Sequence, residues 1–309
     1  MNVEKSKIII ICGPTGVGKT ALSIELAKKI SAEIIVADSQ AVLKGFDVGT
    51  AKPSPEEQVE VPHHLIDVAE FGEVFDAARF TELADEAIRD VLSRGKIPLI
   101  SGGTGLYIKA LLHGFMEAPT RDEAFRKSLE EHIQKEGLEK LYEELKTVDP
   151  ERAEEIHPND SVRIIRALEI FHLSGKKPSD LAREHQFQES KYQSLKIGLQ
   201  IDREELYRRI DQRVLSMLNH GWVEEVKSLM KKYDLIHGKT QTIGYPTIAR
   251  YAHGEVFISD AIQEIQKETR NFAKRQISWF KSDEEIKWFD PTEKEQIFEI
   301  CSHWIATSD

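Results

Sequence analysis

The sequence predicts an α/β protein: a parallel sheet flanked by helices and carrying a phosphate-binding loop (P-loop), with a helical insertion domain. Three observations carry that reading. Lys7-Ile8-Ile9-Ile10-Ile11-Cys12 is an apolar run of strand length, and it leads straight into Gly13-Pro14-Thr15-Gly16-Val17-Gly18-Lys19-Thr20, the G-x-x-x-x-G-K-[ST] spacing. Apolar runs then alternate with helical patterns as far as about residue 112, which implies parallel strands joined by helices. From about residue 115 to 193 the chain is charged and helical in pattern, before Leu195-Lys196-Ile197-Gly198-Leu199-Gln200-Ile201 returns as a strand. Residues 1–114 and 194–309 are therefore expected to form the core and its C-terminal helices, with 115–193 inserted.

Each element has its own signal. Behind the loop, Leu22, Leu26 and Ile30 share one helical face. Ile34-Ile35-Val36-Ala37 is a strand ending at Asp38-Ser39. Ala77 to Leu92 is a helix whose apolar side is Ala84, Ala87, Ile88 and Val91. Ile97-Pro98-Leu99-Ile100-Ser101 is a further strand, ending in Gly102-Gly103-Thr104-Gly105. Ligands of such sheets bind beyond the carboxyl ends of the strands, which sets the P-loop, Asp38-Ser39 and Gly102 to Gly105 on one rim. Within the insertion, Glu123 to Glu136, Leu138 to Leu145, Ser161 to His172 and Ser179 to His185 read as helices, with Asp160-Ser161 as a cap signal. Helices follow at Arg203 to Leu218 and Ile262 to Lys281, where Ile262, Ile265, Phe272, Gln276, Trp279 and Phe280 form the packing side.

Composition narrows the class. The 309 residues are 40% hydrophobic and 31% charged, ordinary for a water-soluble globular chain. A net charge of −11 excludes a protein that coats nucleic acid indiscriminately, though it leaves room for a local basic site. Cys12 and Cys301 form neither a disulfide framework nor a Cys-rich zinc site, and Cys12 sits in an apolar strand where it packs. No apolar stretch reaches membrane-spanning length. The N-terminus runs directly into the first strand and leaves no room for a signal peptide, so the expected compartment is the cytoplasm.

The chemistry-bearing residues gather at the predicted rim. Glycines let the backbone wrap an anion, the helix N-terminus adds positive charge, Lys19 reaches phosphate oxygens, and the Thr20 hydroxyl is placed to hold magnesium. Asp38 is open to three readings: a magnesium ligand as in phosphotransferases, a general base, or a cap after a strand. Gly102 to Gly105 is either a second anion nest with Thr104 as donor or a tight turn. His63-His64 reads as structural, because neighbours in an extended segment point to opposite sides. Arg209 and Arg213 either snorkel beside a core face or aim at a ligand's phosphates. Lys267, Arg270, Lys274 and Lys281 share one helical face, which is either a nucleic-acid contact or a solvated surface.

Further segments complete an ordered set: Asp47-Val48-Gly49-Thr50-Ala51-Lys52-Pro53, Pro62-His63-His64-Leu65-Ile66-Asp67, and Gly102-Gly103-Thr104-Gly105-Leu106-Tyr107. Then come Ile156-His157-Pro158-Asn159-Asp160 with Arg163-Ile164-Ile165-Arg166-Ala167-Leu168-Glu169, Ile243-Gly244-Tyr245, and Thr269-Arg270-Asn271-Phe272-Ala273-Lys274-Arg275-Gln276. Together with the P-loop and Ala37-Asp38-Ser39, this set resembles the bacterial tRNA dimethylallyltransferases of the tRNA isopentenyltransferase family, over nearly the whole chain. Leu43 departs from the pattern, standing where the family usually has an aromatic residue, and the zinc-finger extension of eukaryotic relatives is not present.

The resemblance implies a reaction. Dimethylallyl diphosphate gives its five-carbon group to the exocyclic amine of the adenosine on the 3′ side of the tRNA anticodon, and diphosphate leaves. It implies Asp38, Thr104 and Arg213 as catalytic residues and Gly13 to Thr20 as the diphosphate site. Magnesium is implied on Thr20. Asp38, Ser39, Gln40, Ala41, Thr104, Arg126, Arg163, Arg166, Arg270 and Lys274 would contact the tRNA anticodon stem-loop, with the insertion gripping it. A monomer without membrane attachment is expected. The P-loop alone favours another reading, a small-molecule kinase using ATP; the family motifs displace it.

Overall fold

Consecutive isoleucines set the centre of the structure, a computed structural model that describes residues 5–114, 121–185, 190–237 and 242–307. In β1 (Lys7–Cys12), alternate side chains feed opposite layers: Ile9 and Ile11 enter one core, Ile8 and Ile10 the other. Then follow α1 (Lys19–Ile30), β2 (Ala32–Val36), α2 (Pro55–Glu60), β3 (His63–His64), α3 (Ala77–Ser93), β4 (Ile97–Gly102) and α4 (Gly105–His113). A helical unit, His113–Ser190, contains α5 (Glu123–Glu136), α6 (Leu138–Val148), α7 (Pro150–Glu155), α8 (Ser161–Ser174) and α9 (Pro178–His185). The chain then forms β5 (Gln193–Leu199), α10 (Arg203–Asn219), α11 (Trp222–Leu229), α12 (Tyr245–Ala252), α13 (Ile258–Lys281), β6 (Lys287–Phe289) and α14 (Lys294–Ala306).

The sheet has six strands in the order β3-β2-β4-β1-β5-β6, and every pairing is parallel. Ile9 sits in register with Leu99 on one side and Leu195 on the other. Both faces are covered, which is why the central strands read as continuous apolar runs. Cys12 is buried in this sheet, and burial pushes its thiol up to about 12, so it packs and does not react. A third core gathers Phe46, Trp222, Val226, Tyr245, Ile248 and Ile265, with Leu43 packed against it. The helical unit has its own core, including Leu141, Leu145, Ile164 and Leu168. Asp122, Asp149 and Asp160 cap α5, α7 and α8 by accepting backbone N–H groups three residues on.

Several expectations need correction. The edge strands β3 and β6 are two and three residues long, too short to show alternation in sequence. The first unit re-forms at Lys191, whose N–H donates to Leu112 O at 2.6 Å, so the helical excursion closes before residue 193. Trp279 is 38% exposed and lies beside the buried side of α13 (Ala261, Ile265, Ala273, Gln276 and Phe280), with its indole against Gly105, where a Cβ would stand 2.1 Å from it.

Edge strand β3 is pinned by charge. Glu33, 3% exposed on β2, accepts from His64 Nε2 (2.8 Å), Arg94 Nη2 (2.6 Å) and Lys96 Nζ (2.9 Å). Burial alone would raise its carboxyl, but the bonds from Lys96, His64 and Arg94 outweigh burial and hold it down to about 2. That stabilisation is complete above the ordinary carboxylate range and is lost as pH falls toward 2. Glu33→Gln is expected to cost about 2–3 kcal/mol, the low end for a broken buried ion pair because its cations stay partly exposed. It should also flatten the acid limb of stability. Urea midpoints at pH 7 and pH 4 check this, and midpoints equal to the parent's at both pH values would contradict it.

Candidate active site

The phosphate cradle is built at the junction of β1 and α1. Gly18 is the helix N-cap in the left-handed conformation, and no side chain caps the first turn. The first N–H groups are thereby left for an anion, backed by the helix dipole. Lys19 Nζ donates to Gly13 O (2.9 Å) and Pro14 O (2.8 Å), which lays the ammonium across the loop. Pro14 has no N–H to give, and the Val17 side chain is fully buried, so these two supply shape. Thr15, Gly16, Gly18, Lys19 and Thr20 line a cavity of ≈ 400 Å³.

The acid rim lies across that cavity. Asp38 follows β2, and its Oδ1 accepts from Gln40 N at 2.8 Å, which fixes the carboxylate and leaves Oδ2 without a hydrogen bond among the described residues. Thr104 Oγ1 accepts from Ser39 N (3.0 Å) and lies 3.4 Å from Ser39 Oγ. Its hydroxyl oxygen is therefore tied to the Asp38-Ser39 turn. Ala41 is buried in the cavity wall, and Gln40 lines a smaller adjoining recess. The two glycine turns are joined by Gln276 from α13, which is 6% exposed. Its Oε1 accepts from Thr15 N (2.8 Å) and its Nε2 donates to Gly103 O (3.0 Å). Glycine at position 103 leaves room for this amide, since a Cβ there would stand 2.2 Å from Gln276 Nε2 and push it off its bonds.

Charge in the cavity is concentrated and mutually dependent. Arg213, from α10, lines it together with Arg209, whose Nε donates to Glu205 Oε1 at 2.7 Å. Arg213 makes no hydrogen bond or ion pair among the described residues; burial pulls its pKa down and Asp38 opposes the shift. Burial likewise lowers Lys19 to about 8, Asp38 working against the shift and Arg213 with it. Two cations face one carboxylate, so the site carries surplus positive charge poised for an anion.

The wall opposite the P-loop is held by buried polar contacts. Lys52, with its side chain 4% exposed, donates to Leu43 O (2.5 Å), Asp47 Oδ1 (2.7 Å) and Asp67 Oδ1 (2.5 Å). Glu225 accepts from Asp47 N (3.0 Å), Val48 N (2.7 Å) and Tyr245 OH (2.6 Å). Gly49 lies under Trp222, where a Cβ would come within 2.0 Å of the indole nitrogen. His63 lines the cavity and donates from Nδ1 to Val61 O at 2.7 Å, while His64 turns the other way to Glu33.

The expected RNA contacts fall into two separate groups. On α13, Lys274 is exposed, and Arg270 is held by Asp211 Oδ1 at 2.5 Å. Arg203, Arg270 and Lys274 stand 5.2, 5.9 and 6.0 Å from the centre of the Tyr207 ring. In the helical unit, Glu169 is fully buried and takes Arg126 in a bidentate pair (2.7 and 2.7 Å) and Arg166 at 2.5 Å. Burial would raise Glu169, but these arginines hold it down to about 2. Arg163 is the exposed member, its Nε 3.4 Å from Asp160 Oδ2. Arg126 and Arg166 are thus partly committed to an internal carboxylate; Arg166 lies three residues before Glu169 on α8, whereas the spacing of Arg126 gives no sign of the pairing. Sequence reasoning also missed Lys52 and Tyr207 as builders of these surfaces, and Gln276 and Glu225, which bond backbone groups more than 170 residues away.

The IPP transferase family matches residues 41–283 of the chain. The tRNA dimethylallyltransferase 2 of Geotalea uraniireducens (strain Rf4) is 46% identical over 303 residues, covering 98% of this chain and 97% of that one. The tRNA dimethylallyltransferase of Geobacillus thermodenitrificans (strain NG80-2) is 45% identical, with 94% and 92% covered. Among solved structures, the full-length tRNA isopentenylpyrophosphate transferase of Bacillus halodurans has a TM-score of 0.71 at 38% identity, covering 97% of this chain and 96% of that one. A eukaryotic dimethylallyltransferase, described as acting on tRNA, has a TM-score of 0.76 at 31% identity, with 97% and 77% covered. The chain belongs to the IPP transferase family.

Proposed function

We propose that this protein transfers the dimethylallyl group of dimethylallyl diphosphate to the exocyclic amine of the adenosine 3′ to the anticodon in tRNA, releasing diphosphate. The observation that carries this reading is the convergence of an uncapped helix N-terminus, Lys19, Arg213 and the Asp38 carboxylate on one cavity. Its relatives' activity supports the acceptor and the donor.

The chemistry follows from charge. An allylic C1–O bond breaks readily, its electron pair passing to the diphosphate while positive charge spreads over the allyl group. N–H groups and cations fixed around the diphosphate stabilise that charge as it develops. Lys19, Arg213 and the first turn of α1 are placed to do so. The adenine amine attacks C1, and its proton passes to Asp38 Oδ2, the oxygen left open by the Gln40 bond. Thr104 acts on this step through Ser39, as a positioning residue. Magnesium fits the Thr20 hydroxyl, a hard oxygen on the wall of the cavity that would also take the diphosphate oxygens. When bound, it would neutralise charge on the leaving diphosphate.

The tRNA anticodon stem-loop would be held by Lys274, Arg270, Arg203 and Tyr207 in the first unit, and by Arg163 in the helical unit, with Arg126 and Arg166 oriented by Glu169. The helical unit is thus proposed as a gripping insertion. A cavity built by one chain suits a monomer, and tRNA modification suits the cytoplasm; among the described residues no helix is long and apolar enough to cross a membrane.

Incubation with magnesium, unmodified tRNA and labelled dimethylallyl diphosphate is expected to label the RNA at that adenosine. Unlabelled RNA, with ATP consumed in the presence of a small acceptor, would overturn the proposal. Asp38→Asn should still bind donor and RNA, while its single-turnover rate falls about 10²–10⁴-fold; a rate within threefold of the parent removes Asp38 from the base role. The depressed pKa of Lys19, about 8, sets a further expectation. Above that value the free protein loses the ammonium proton and with it anion affinity, so kcat/KM for the donor should fall as pH rises from 7 to 9. A flat profile across that range would contradict the assignment of Lys19 to the diphosphate.

A further inference from the structure

Two arginines one helical turn apart on α10, Arg209 and Arg213, line the P-loop cavity, and they differ in what holds them. Burial lowers the pKa of Arg213, with Asp38 acting against the shift, and both residues also line the smaller adjoining recess. Arg209 does not line that recess, and its side chain is 38% exposed, nearer the cavity mouth. The turn of α10 that carries it packs on the P-loop: a Cβ at Gly16 would stand 3.1 Å from Ile210 and 3.6 Å from Leu206. Arg208 takes Glu205 with a full fork, Nε to Oε2 and Nη2 to Oε1, both at 2.8 Å, and its Nη1 donates to Gln212 Oε1 at 3.1 Å. Together Arg208 and Arg209 hold the Glu205 carboxyl down to about 2, so it stays an acceptor. Arg209 reaches Glu205 through Nε alone, at 2.7 Å, and its Nη1 and Nη2 make no hydrogen bond or ion pair among the described residues. Two guanidiniums on one carboxylate leave one net positive charge, and of the two it is Arg209 that lines the cavity. The other nearby carboxylate, Asp290, has Oδ1 occupied by Thr292 N (2.9 Å) and Thr292 Oγ1 (2.6 Å).

We infer that Arg209 receives the terminal phosphate and makes the site select a diphosphate over a monophosphate, with Glu205 as the positioning residue that fixes its guanidinium. The inference rests on the proposed diphosphate site and deepens it. Lys19 and the first turn of α1 can saturate a single phosphate, so a second one adds charge that calls for a further cation. Arg213, shared with Asp38, belongs to the reacting end; Arg209, on the loop side, is left for the terminal group. Four of its five N–H donors are open, and the planar fork matches two phosphate oxygens at once. The bond from Nε to Glu205 restrains the side chain beforehand, so less freedom is lost when the anion arrives.

The test is calorimetric titration of the full chain with inorganic diphosphate and, separately, inorganic phosphate, both with magnesium. Arg209→Gln is expected to weaken diphosphate binding about 10–100-fold, the worth of a charge-assisted hydrogen bond. Phosphate binding should weaken by no more than about threefold, the reach of one partly exposed charge. Arg209→Lys, which keeps the charge and loses the fork, should fall between Arg209→Gln and the parent for diphosphate. Glu205→Gln alone should weaken diphosphate about 3–10-fold, the worth of an orienting hydrogen bond. On an Arg209→Gln background it should add nothing, whereas a merely structural effect of Glu205 on α10 would persist there and would remove its positioning role. Equal losses for the two anions in Arg209→Gln, or no loss, overturn the inference and leave the proposed function standing. Absence of diphosphate binding by the wild-type protein overturns both.

Discussion

Gln276 accepts from the N–H of Thr15 with one end of its amide and donates to the carbonyl of Gly103 with the other. Removing the amide would strand Gly103 O, which is buried, at about 1–3 kcal/mol, and would free Thr15 N at the cavity wall. The bond pair fixes the P-loop relative to the glycine turn after β4, and that turn fixes Asp38: Thr104 N donates to Ala37 O (3.1 Å), and Thr104 Oγ1 receives Ser39 N (3.0 Å). The anion cradle and the carboxylate are thereby set by one side chain. Its helix, α13, also bears Arg270 and Lys274 on another face. The phosphate-loop cavity, Asp38 and the cations of α13 are thus mechanically joined in the first unit.

The electrostatic logic is economical. A chain of net charge −11 keeps Lys19, Arg209 and Arg213 in one cavity with Asp38 as the proposed proton acceptor. Burial depresses both Lys19 and Arg213, so their charge is held at a cost that an anion beside them would relieve. An arrangement of this kind favours a state with negative charge building on a leaving group, which is the demand of allylic transfer. Carboxylates elsewhere have structural tasks: Glu33 anchors the edge strand, Glu225 gathers the backbone around Gly49, and Glu169 orients two arginines in the helical unit.

Much of this was legible in sequence because it is local. The β1–loop–α1 unit follows from spacing and period, and the α5 boundaries, Glu123–Glu136, follow from periodicity and a capping aspartate. Placement of Asp38 and the Gly102 turn on one rim follows from strand-end topology. What escaped is non-local. Gln276 looks like a member of a packing stripe, and only a partner more than 170 residues away reveals its role. Arg126 reads as a free cation until Glu169, on another helix, is seen beside it. The bond from Ser39 N to the Thr104 hydroxyl oxygen, 65 residues apart in sequence, is a link that spacing does not show. The short strands β3 and β6 owe their existence to neighbours and not to their own pattern.

The most direct measurement is a crystal structure with a thio-diphosphate donor analogue, magnesium and an anticodon stem-loop. The account predicts the terminal phosphates against Lys19 and the first turn of α1, the allylic carbon between Arg213 and Asp38, and the adenine amine within hydrogen-bond distance of Asp38 Oδ2. An RNA base lying outside the cavity, or a donor whose reacting carbon points away from Asp38, would contradict it.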